Sequence, residues 1–415
     1  MAAAFLAQTL DFFIQNIIFM APFWIALGLT YVLWHVWIYY VRAKFFFEKE
    51  FILLEIKLPE EVLKTPQAME IVLTGLLQTA GESTWYDRRI LGKVRAYFSL
   101  ELVSLEGDVK FFIRTDKFLQ PIVENQIYSQ YPNAEVFEVP DYTSSVPYNI
   151  QGKDVWSVWG TDFVLTKPDA YPIKTYIDYG LDKSVRDDIE KNDPITPLLE
   201  YLGSMRTGEQ AWYQILIRAN KDEDDLTTFW DRDWKGEGQK TIDEIMAKYK
   251  YSPEGDEGEE EKSKGMLMSP GDKVVVDAIY RSLTKHAFDC GMRGIYLAKN
   301  DRFRPQNIPG LMSAVKQFSA PNLNGFKPNM KTLTDKNYPW QDYKDIRVNL
   351  RKLKLFDAYR RRSYFFSPYE RKPFVLTTEE LATIYHFPGG VAQTPTFGRI
   401  GSRKAEPPVN LPIGG

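Results

Sequence analysis

The sequence has very few of the residues that build disulfides, redox centres and metal sites. Its 415 residues include one cysteine, Cys290, and three histidines, His35, His286 and His386. A single cysteine excludes an intrachain disulfide and a cysteine-rich zinc site. Cys290 has no basic motif beside it, so we interpret it as a buried structural thiol. We expect the protein to bind neither a metal nor any other cofactor.

The sequence also lacks an excess of either charge. It carries 52 Lys and Arg against 55 Asp and Glu, a formal charge of −3. This balance excludes a globally basic nucleic-acid-binding protein, although a local basic patch can still exist. Hydrophobic residues make up 44% and charged residues 26%, which is typical of a folded protein. At about 150 residues per domain, the length predicts two to three globular units.

Familiar catalytic motifs are missing. The Gly-Lys pairs at 92–93 and 152–153 are followed by Val and Asp, whereas a phosphate-binding loop needs Ser or Thr there. The G-x-S-x-G and H-E-x-x-H patterns do not occur. Acidic clusters at 222–225 and 231–233 lack EF-hand spacing. We interpret them as solvated helix faces, with weak Mg²⁺ binding as the alternative, and expect no enzymatic activity.

One long stretch near the N-terminus is uncharged. No Asp, Glu, Lys or Arg occurs from Phe12 to Val41, and roughly 20 apolar residues suffice to cross a bilayer as a helix. Pro22 divides the stretch into a predicted interfacial helix and a predicted span. We interpret residues 1–45 as a membrane anchor. Its characteristic residues are Pro22, Trp24, Trp34, Trp37, Tyr39, Tyr40, Arg42 and Lys44.

The flanking charges predict an orientation. Arg42, Lys44 and Lys49 follow the span, whereas Asp11 is the only charged residue before it. The positive-inside rule then places the N-terminus outside and the C-terminal body in the cytoplasm, as in a single-pass protein of the cytoplasmic membrane. A cleaved signal peptide is the alternative, but it requires a basic N-terminal region and a shorter apolar run. His35 suggests either an interfacial residue or a proton relay.

Residues 46–148 predict a ferredoxin-like α+β domain. The order β-α-β-β-α-β is that of the split βαβ fold, in which two helices cover one face of a four-stranded antiparallel sheet. The turn Glu106-Gly107-Asp108 divides two apolar runs, as in a β-hairpin. The expected elements are a strand at 51–59, a helix at 66–80, a hairpin at 94–114, a helix at 118–131 and a strand at 134–140.

Residues 149–372 predict a second α+β domain with an internal duplication of the same order. The acidic run 251–265 contains no large apolar residue after Tyr251, so we expect a disordered insertion there. Helices are expected on both sides of it, near 221–250 and 271–289. The remaining expected elements are strands at 155–167, 209–219, 292–299 and 362–368, and helices at 195–205 and 307–318. The fold class is therefore α+β, with two predicted ferredoxin-like repeats and antiparallel sheets.

Residues 373–415 predict a capped helix followed by an extended arm. Thr377-x-x-Glu380 has the spacing of a capping box, which marks a helix start. The glycines after Pro388 end that helix, and the rest is rich in Pro and Gly, as in a linker or docking arm. The residues assigned to partner docking are Thr377, Glu380, His386 and Pro388.

The most suggestive polar feature is basic. Between Ile346 and Lys372, nine Lys and Arg are opposed only by Asp357 and Glu370, a balance of +7. Apolar and aromatic residues interleave with them, which favours contact with nucleic-acid phosphates or anionic lipid heads. The alternative is a solvated face of a helix, paired with the acidic insertion. The candidate contact residues are Arg347, Arg351, Lys352, Lys354, Arg360, Arg361 and Arg362.

Two regions resemble a known group of proteins. The runs FILLEIKLPEEVLKTPQAMEIVL, GKVRAYFSLELVSLEGDVKFFIR and ENQIYSQYPNAEVFEV are similar to the N-terminal region of bacterial membrane-anchored proteins with a domain of unknown function. The segment FVLTTEELATIYHFPGG and the TPTFGRIGSRKAEPPVNLP that follows resemble the lead into the motor domain of HerA/FtsK-type conjugation and type IV secretion ATPases. The resemblance carries over no catalytic residue. In those ATPases the motor follows this segment, so we expect a motor on a separate chain or a non-motor paralogue.

Together these features predict a non-enzymatic, single-pass membrane protein that anchors or scaffolds a type IV secretion or conjugation-like ATPase assembly. The expected partners are the lipid bilayer and a motor ATPase or secretion-complex subunit, and homo-oligomerisation is left open. The alternative function is a nucleic-acid-binding accessory protein of DNA transfer that uses the basic stretch 346–372.

Overall fold

The structure is a computed structural model of the chain. The expected acidic insertion and the arm after Gly389 lie outside the residues that it describes. The described residues are 15–59, 64–82, 84–147, 156–182, 192–221, 233–249, 268–336 and 338–389.

The described elements confirm the predicted α+β class. In chain order the helices are α1 (Ala21–Phe47), α2 (Pro66–Gly75), α3 (Trp85–Arg89), α4 (Gln120–Gln130), α5 (Thr196–Gly203), α6 (Trp234–Ala247), α7 (Pro270–Leu283), α8 (Asn307–Ser313), α9 (Ile346–Arg360) and α10 (Thr378–Ile384). The strands are β1 (Phe51–Lys57), β2 (Tyr97–Leu105), β3 (Asp108–Asp116), β4 (Glu135–Val139), β5 (Trp156–Leu165), β6 (Glu209–Ala219), β7 (Ala287–Lys299), β8 (Phe326–Pro328) and β9 (Phe374–Thr377).

The chain divides into two compact units, which we name the anchor unit and the sheet unit. The anchor unit comprises residues 1–50 and 80–95, and the sheet unit comprises residues 51–79 and 96–415. The anchor unit contains α1 and α3. Residues 15–19 are helical as well, and the Met20 N–H donates to the Asn16 carbonyl, so the backbone is helical on both sides of Met20. Pro22 lies in the first turn of α1, where a missing N–H costs no helical hydrogen bond.

The sheet unit is built on one antiparallel sheet. Its strands lie in the order β4-β1-β3-β2-β6-β7-β5-β8, and β9 pairs with β7. The central pairing joins β2 to β6 over the register from Tyr97↔Arg218 to Leu105↔Gln210. Residues 46–148 and 149–372, predicted as separate domains, therefore contribute strands to the same sheet.

The two faces of this sheet bury alternate residues, as the two-residue period of a strand requires. On β6, Tyr213 and Ile215 join the core that includes residues of α2, α4, α5, α8 and α10. Trp212 belongs to the core of the opposite face, where α9 supplies Leu355, Phe356 and Tyr359. The central strands are consequently buried on both faces.

The expected strand at 362–368 is wrong. These residues form turns, and the edge of the sheet beyond β5 is instead β8. Their aromatic run suggested a strand, but Tyr364, Phe365 and Phe366 are buried as a cover over neighbouring strands. Gly291 of β7 accommodates the Tyr364 ring, because any Cβ there would overlap it.

Two helix boundaries also differ from expectation. The helix expected at 271–289 ends at Leu283, and β7 begins at Ala287 rather than near 292. The helix expected at 66–80 ends at Gly75. The helix start that the capping box predicts is confirmed, because α10 begins at Thr378 after the N-cap Thr377. The capping box itself is present, with Thr377 and Glu380 exchanging hydrogen bonds as their spacing predicts.

Candidate functional site

The outer surface of α1 is apolar over most of its length. Among the described residues, α1 is the one helix long and apolar enough to cross a membrane. At 1.5 Å per residue its 27 residues span about 40 Å, more than the roughly 30 Å hydrocarbon core of a bilayer. None of its most apolar 18-residue window is buried. Trp24, Tyr39 and Tyr40, assigned to the anchor from the sequence, are exposed along it.

A cluster of aromatic and basic side chains lies beside the C-terminal half of α1. The Trp34 ring stacks on Trp85 of α3 with 6.5 Å between centroids, and the Arg89 guanidinium lies 5.7 Å from the Trp34 ring. The Trp37 Nε1–H donates to the Arg89 carbonyl at 2.9 Å. These contacts fix α3 against α1, because an indole hydrogen bond and a cation–π contact each require a defined geometry.

The part that α3 plays in this cluster was not predicted from the sequence. Trp34 and Trp37 were assigned to the anchor, but α3 follows about fifty residues later in the chain. Gly92 helps to bring the segment close, since its positive φ of 63° and missing side chain leave room for the Val41 carbonyl. The available signal was the run WYDRR itself, which combines two aromatic and two basic residues in five positions.

The basic anchor residues lie at the same end. Arg42 is half-buried and Lys44 is exposed. Lys44 approaches Glu48 at 3.9 Å across one helical turn, and such an exposed pair contributes little to stability. Lys44 therefore stays close to solvent, where anionic lipid heads would be accessible.

The residues of the candidate basic stretch differ in how deeply they are buried. Arg347, Lys354, Arg360 and Arg361 are exposed, Arg351 and Lys352 are half-buried, and Arg362 is buried. The interleaved aromatic residues from Phe356 to Phe366 are buried too. The expectation that Arg362 contacts a ligand is wrong, and these rings are not available for stacking on bases.

Arg362 instead holds together a buried ionic cluster. Its Nε donates to Glu101 Oε1 at 2.9 Å and its Nη2 to Glu101 Oε2 at 3.1 Å. The guanidinium also donates to both carboxylate oxygens of Asp141, at 3.1 Å for Nη2–Oδ1. This double bidentate arrangement satisfies charges that would otherwise be costly to bury.

The rest of the cluster supports the ionised form of Glu101. Its carboxylate accepts from Tyr142 OH at 2.7 Å, from Ser99 Oγ at 2.6 Å and from Gln214 Nε2 at 3.0 Å. Burial alone would raise the pKa of Glu101, but Arg362 and these donors hold that pKa below its usual value. The cluster fastens the end of α9 to β2 and β6.

The four residues assigned to partner docking lie in the interior. Thr377, Glu380, His386 and Pro388 are all buried. His386 Nε2 lies 3.1 Å from each carboxylate oxygen of Asp193, and its Nδ1 lies 2.9 Å from the Ala382 carbonyl. The docking assignment is therefore wrong for these residues, because a partner could reach them only by opening the core.

Glu380 is a buried carboxyl group with three donors. Its Oε1 accepts from the Ile173 N–H at 2.8 Å, and its Oε2 accepts from the Thr377 N–H at 2.8 Å and the Thr377 hydroxyl at 2.9 Å. Burial nevertheless dominates and raises the pKa of Glu380 to about 7. The carboxyl group thus joins β9, α10 and the chain at Ile173.

Neighbouring arginines of the basic stretch should differ sharply in their effect on stability. We expect Arg362→Met to lower the free energy of unfolding by about 3–5 kcal/mol, because it leaves Glu101 and Asp141 as unpaired carboxylates. The matched control Arg361→Met removes an exposed cation that pairs with Asp357 across one helical turn, and should cost about 0.5 kcal/mol or less.

Urea unfolding of the full chain in detergent, followed by tryptophan fluorescence, measures both variants. Equal losses in Arg362→Met and Arg361→Met would contradict the assignment of the buried cluster. The free energy of unfolding of Arg362→Lys should lie between those of wild type and Arg362→Met, because an ammonium group cannot donate to both carboxylates with the same geometry.

Glu380 should make stability depend on pH near neutrality. Its folded pKa of about 7 lies above its unfolded value, so the stabilisation is fully present below about pH 4 and is lost as the pH rises through about 7. Relative to Glu380→Gln, wild-type stability should fall over this window by about 1.4 kcal/mol per unit of pKa difference. Parallel pH profiles of the two proteins, measured by urea unfolding, would exclude this titration.

The described residues contain no group of three or more His, Cys, Asp or Glu placed to hold a metal ion. No protein family model matches the chain, and no characterised protein matches it significantly.

Proposed function

We propose that the chain is a single-pass membrane protein that anchors or scaffolds a type IV secretion or conjugation-like ATPase assembly and catalyses no reaction itself. The observation that carries this proposal is the outward-facing apolar surface of α1. Fourteen large hydrophobic side chains between Phe23 and Phe47 are exposed. At about 25 cal/mol per Å² of apolar surface, leaving them in water costs tens of kcal/mol, which contact with lipid removes.

The distribution of charge favours one orientation for this span. Arg42, Lys44 and Lys49 follow the apolar stretch, and α3 adds Arg88 and Arg89 to the same end of α1. Cations concentrate on the cytoplasmic side of membrane spans. The proposed arrangement has the N-terminus outside and the sheet unit in the cytoplasm.

The strand order supports two ferredoxin-like repeats in the sheet unit. In the first half the strands lie in the order fourth, first, third, second, as β4-β1-β3-β2. The second half, read from its edge, has the same order as β8-β5-β7-β6. Helices α6 and α7 then form an insertion between the second and third strands of the second repeat. Such repeats suit a scaffold but do not specify a partner, because this fold hosts unrelated functions.

The proposed ATPase partner rests on the resemblance of the C-terminal segment to the lead into secretion motors. Because residues 374–388 are buried in the sheet unit, we assign docking to residues 390–415. Their Pro- and Gly-rich composition is typical of extended segments that bind a partner. The alternative, nucleic-acid binding, has less support, since the rings proposed for base stacking are buried.

Removal of residues 390–415 should abolish capture of the motor. The measurement is retention of a conjugation or secretion-type motor ATPase, encoded beside this chain, on the immobilised full-length protein in detergent. The matched control replaces residues 390–415 by a scrambled sequence of the same composition, which should also fail to retain the motor. Retention by the deleted form, or none by wild type, would contradict docking through this segment.

A further inference from the structure

The turn that precedes α9 carries aromatic side chains that point away from the core. Trp340 is 79% exposed and Tyr343 is 75% exposed. Tyr338 and Trp340 stack on one another, with 4.9 Å between ring centroids and 14° between planes. Exposed large apolar side chains are ordinary when scattered, but a contiguous group on a folded protein marks an interaction surface.

Hydrogen bonds hold the turn that carries these exposed rings. The Asp342 carboxylate accepts from the backbone N–H of Arg347 at 3.0 Å and of Val348 at 2.7 Å, and so holds the turn against the start of α9. From within α9, Arg351 Nη1 donates to the carbonyls of Leu333 and Asp335 at 3.3 Å each. The aromatic residues are therefore presented by a hydrogen-bonded frame.

Exposed side chains at the start of α9 follow these aromatic residues in the chain. Ile346, Leu350 and Lys354 follow one another at four-residue spacing, and all three are exposed. Arg347 is exposed next to Ile346, and Lys344 Nζ lies 5.1 Å from the centroid of the Tyr343 ring. We name Tyr338, Trp340, Tyr343, Ile346 and Leu350, with the cations Lys344, Arg347 and Lys354, the aromatic-basic patch.

The charge around the patch is positive. Residues 326–354 contain eight Lys and Arg against three Asp. Each of the three carboxylates is engaged locally: Asp342 caps α9, Asp345 pairs with Lys336, and Asp335 accepts from the Lys336 N–H. The surface is consequently complementary to an anionic one.

We propose that the aromatic-basic patch binds the headgroup region of an anionic lipid bilayer and gives the protein a second membrane contact, separate from α1. Trp and Tyr favour the membrane–water interface, and nearby Lys and Arg attract anionic headgroups. Ile346 and Leu350 can contact acyl chains but have no polar group to bind nucleic-acid bases. The Tyr338–Trp340 stack already occupies one face of each ring, which leaves less ring surface for stacking on a base. The inference rests on the proposed membrane anchorage, which keeps a bilayer available to the whole chain.

Quenching by brominated lipid tests this contact in the full chain. An NBD fluorophore is attached through Trp340→Cys, where its aromatic ring takes the place of the indole and the other patch residues are unchanged, through Phe118→Cys or through Leu29→Cys. Phe118 is a matched control in the sheet unit, being an aromatic residue that is 84% exposed, and Leu29 reports the α1 span. Cys290 is buried, so it should remain unlabelled in the folded protein. The proteins are reconstituted in vesicles of brominated phosphatidylcholine, with or without phosphatidylglycerol.

The proposal predicts strong quenching at position 340 with phosphatidylglycerol, little quenching without it and little at position 118 in either case. The triple change Lys344→Gln, Arg347→Gln and Lys354→Gln should shift the equilibrium away from the lipid-bound state by roughly a hundredfold, at about 1 kcal/mol per cation. This change should leave quenching at position 29 intact.

Three results would overturn the proposal. The first is equal quenching at positions 340 and 118. The second is lipid quenching at 340 that does not depend on phosphatidylglycerol. The third is protection of 340 from aqueous iodide without lipid quenching, which would indicate a protein partner or a second copy. Quenching at 29 alone would leave the anchor standing while the patch fails, whereas quenching at neither 29 nor 340 would refute the anchor as well.

Discussion

The apolar surface of α1 is the constraint on which the account of this protein depends. A helix in a soluble core normally presents a polar face to water and buries an apolar one. From Ala21 to Val41, α1 has no charged residue, and nearly all of its large side chains face outward. In the proposed arrangement a bilayer covers them, and it matches both the length of the helix and the aromatic and basic residues at one end.

The stability of the sheet unit depends on a different constraint: both faces of its central strands must be covered. The β2–β6 pairing joins the two halves, and α9 closes the face opposite the one that α2, α4, α5, α8 and α10 cover. Polar residues that would otherwise face water, such as Glu101, are thereby enclosed. Their burial is stable because Arg362, at the end of α9, supplies the opposite charge.

Local patterns predicted much of the fold. The uncharged run predicted α1, apolar runs bounded by turn or proline residues predicted the strands from β1 to β4, and Thr377-x-x-Glu380 predicted the start of α10. Errors arose where packing overrode local preference. The aromatic run near Tyr364 is a buried turn, and the three residues of β8 are too few to show an alternating pattern.

The candidate sites were harder to predict, because burial is set by distant parts of the chain. Arg361 and Arg362 are equivalent in sequence terms, but one faces solvent and the other meets carboxylates more than 200 residues away. The docking residues were misassigned for the same reason, since α10 packs in the core. In contrast, the exposed rings at Trp340 and Tyr343 became apparent only from the geometry of the turn that presents them.

The most direct measurement of the central claim is alkaline extraction of membranes from cells that produce the full chain. We expect the intact chain to stay in the membrane pellet. Leu29→Arg combined with Leu33→Arg should release it, because each arginine at the centre of a span costs about 2.5–3.5 kcal/mol. Recovery of the wild-type chain in the supernatant, or of a soluble form without its first forty residues, would contradict the account.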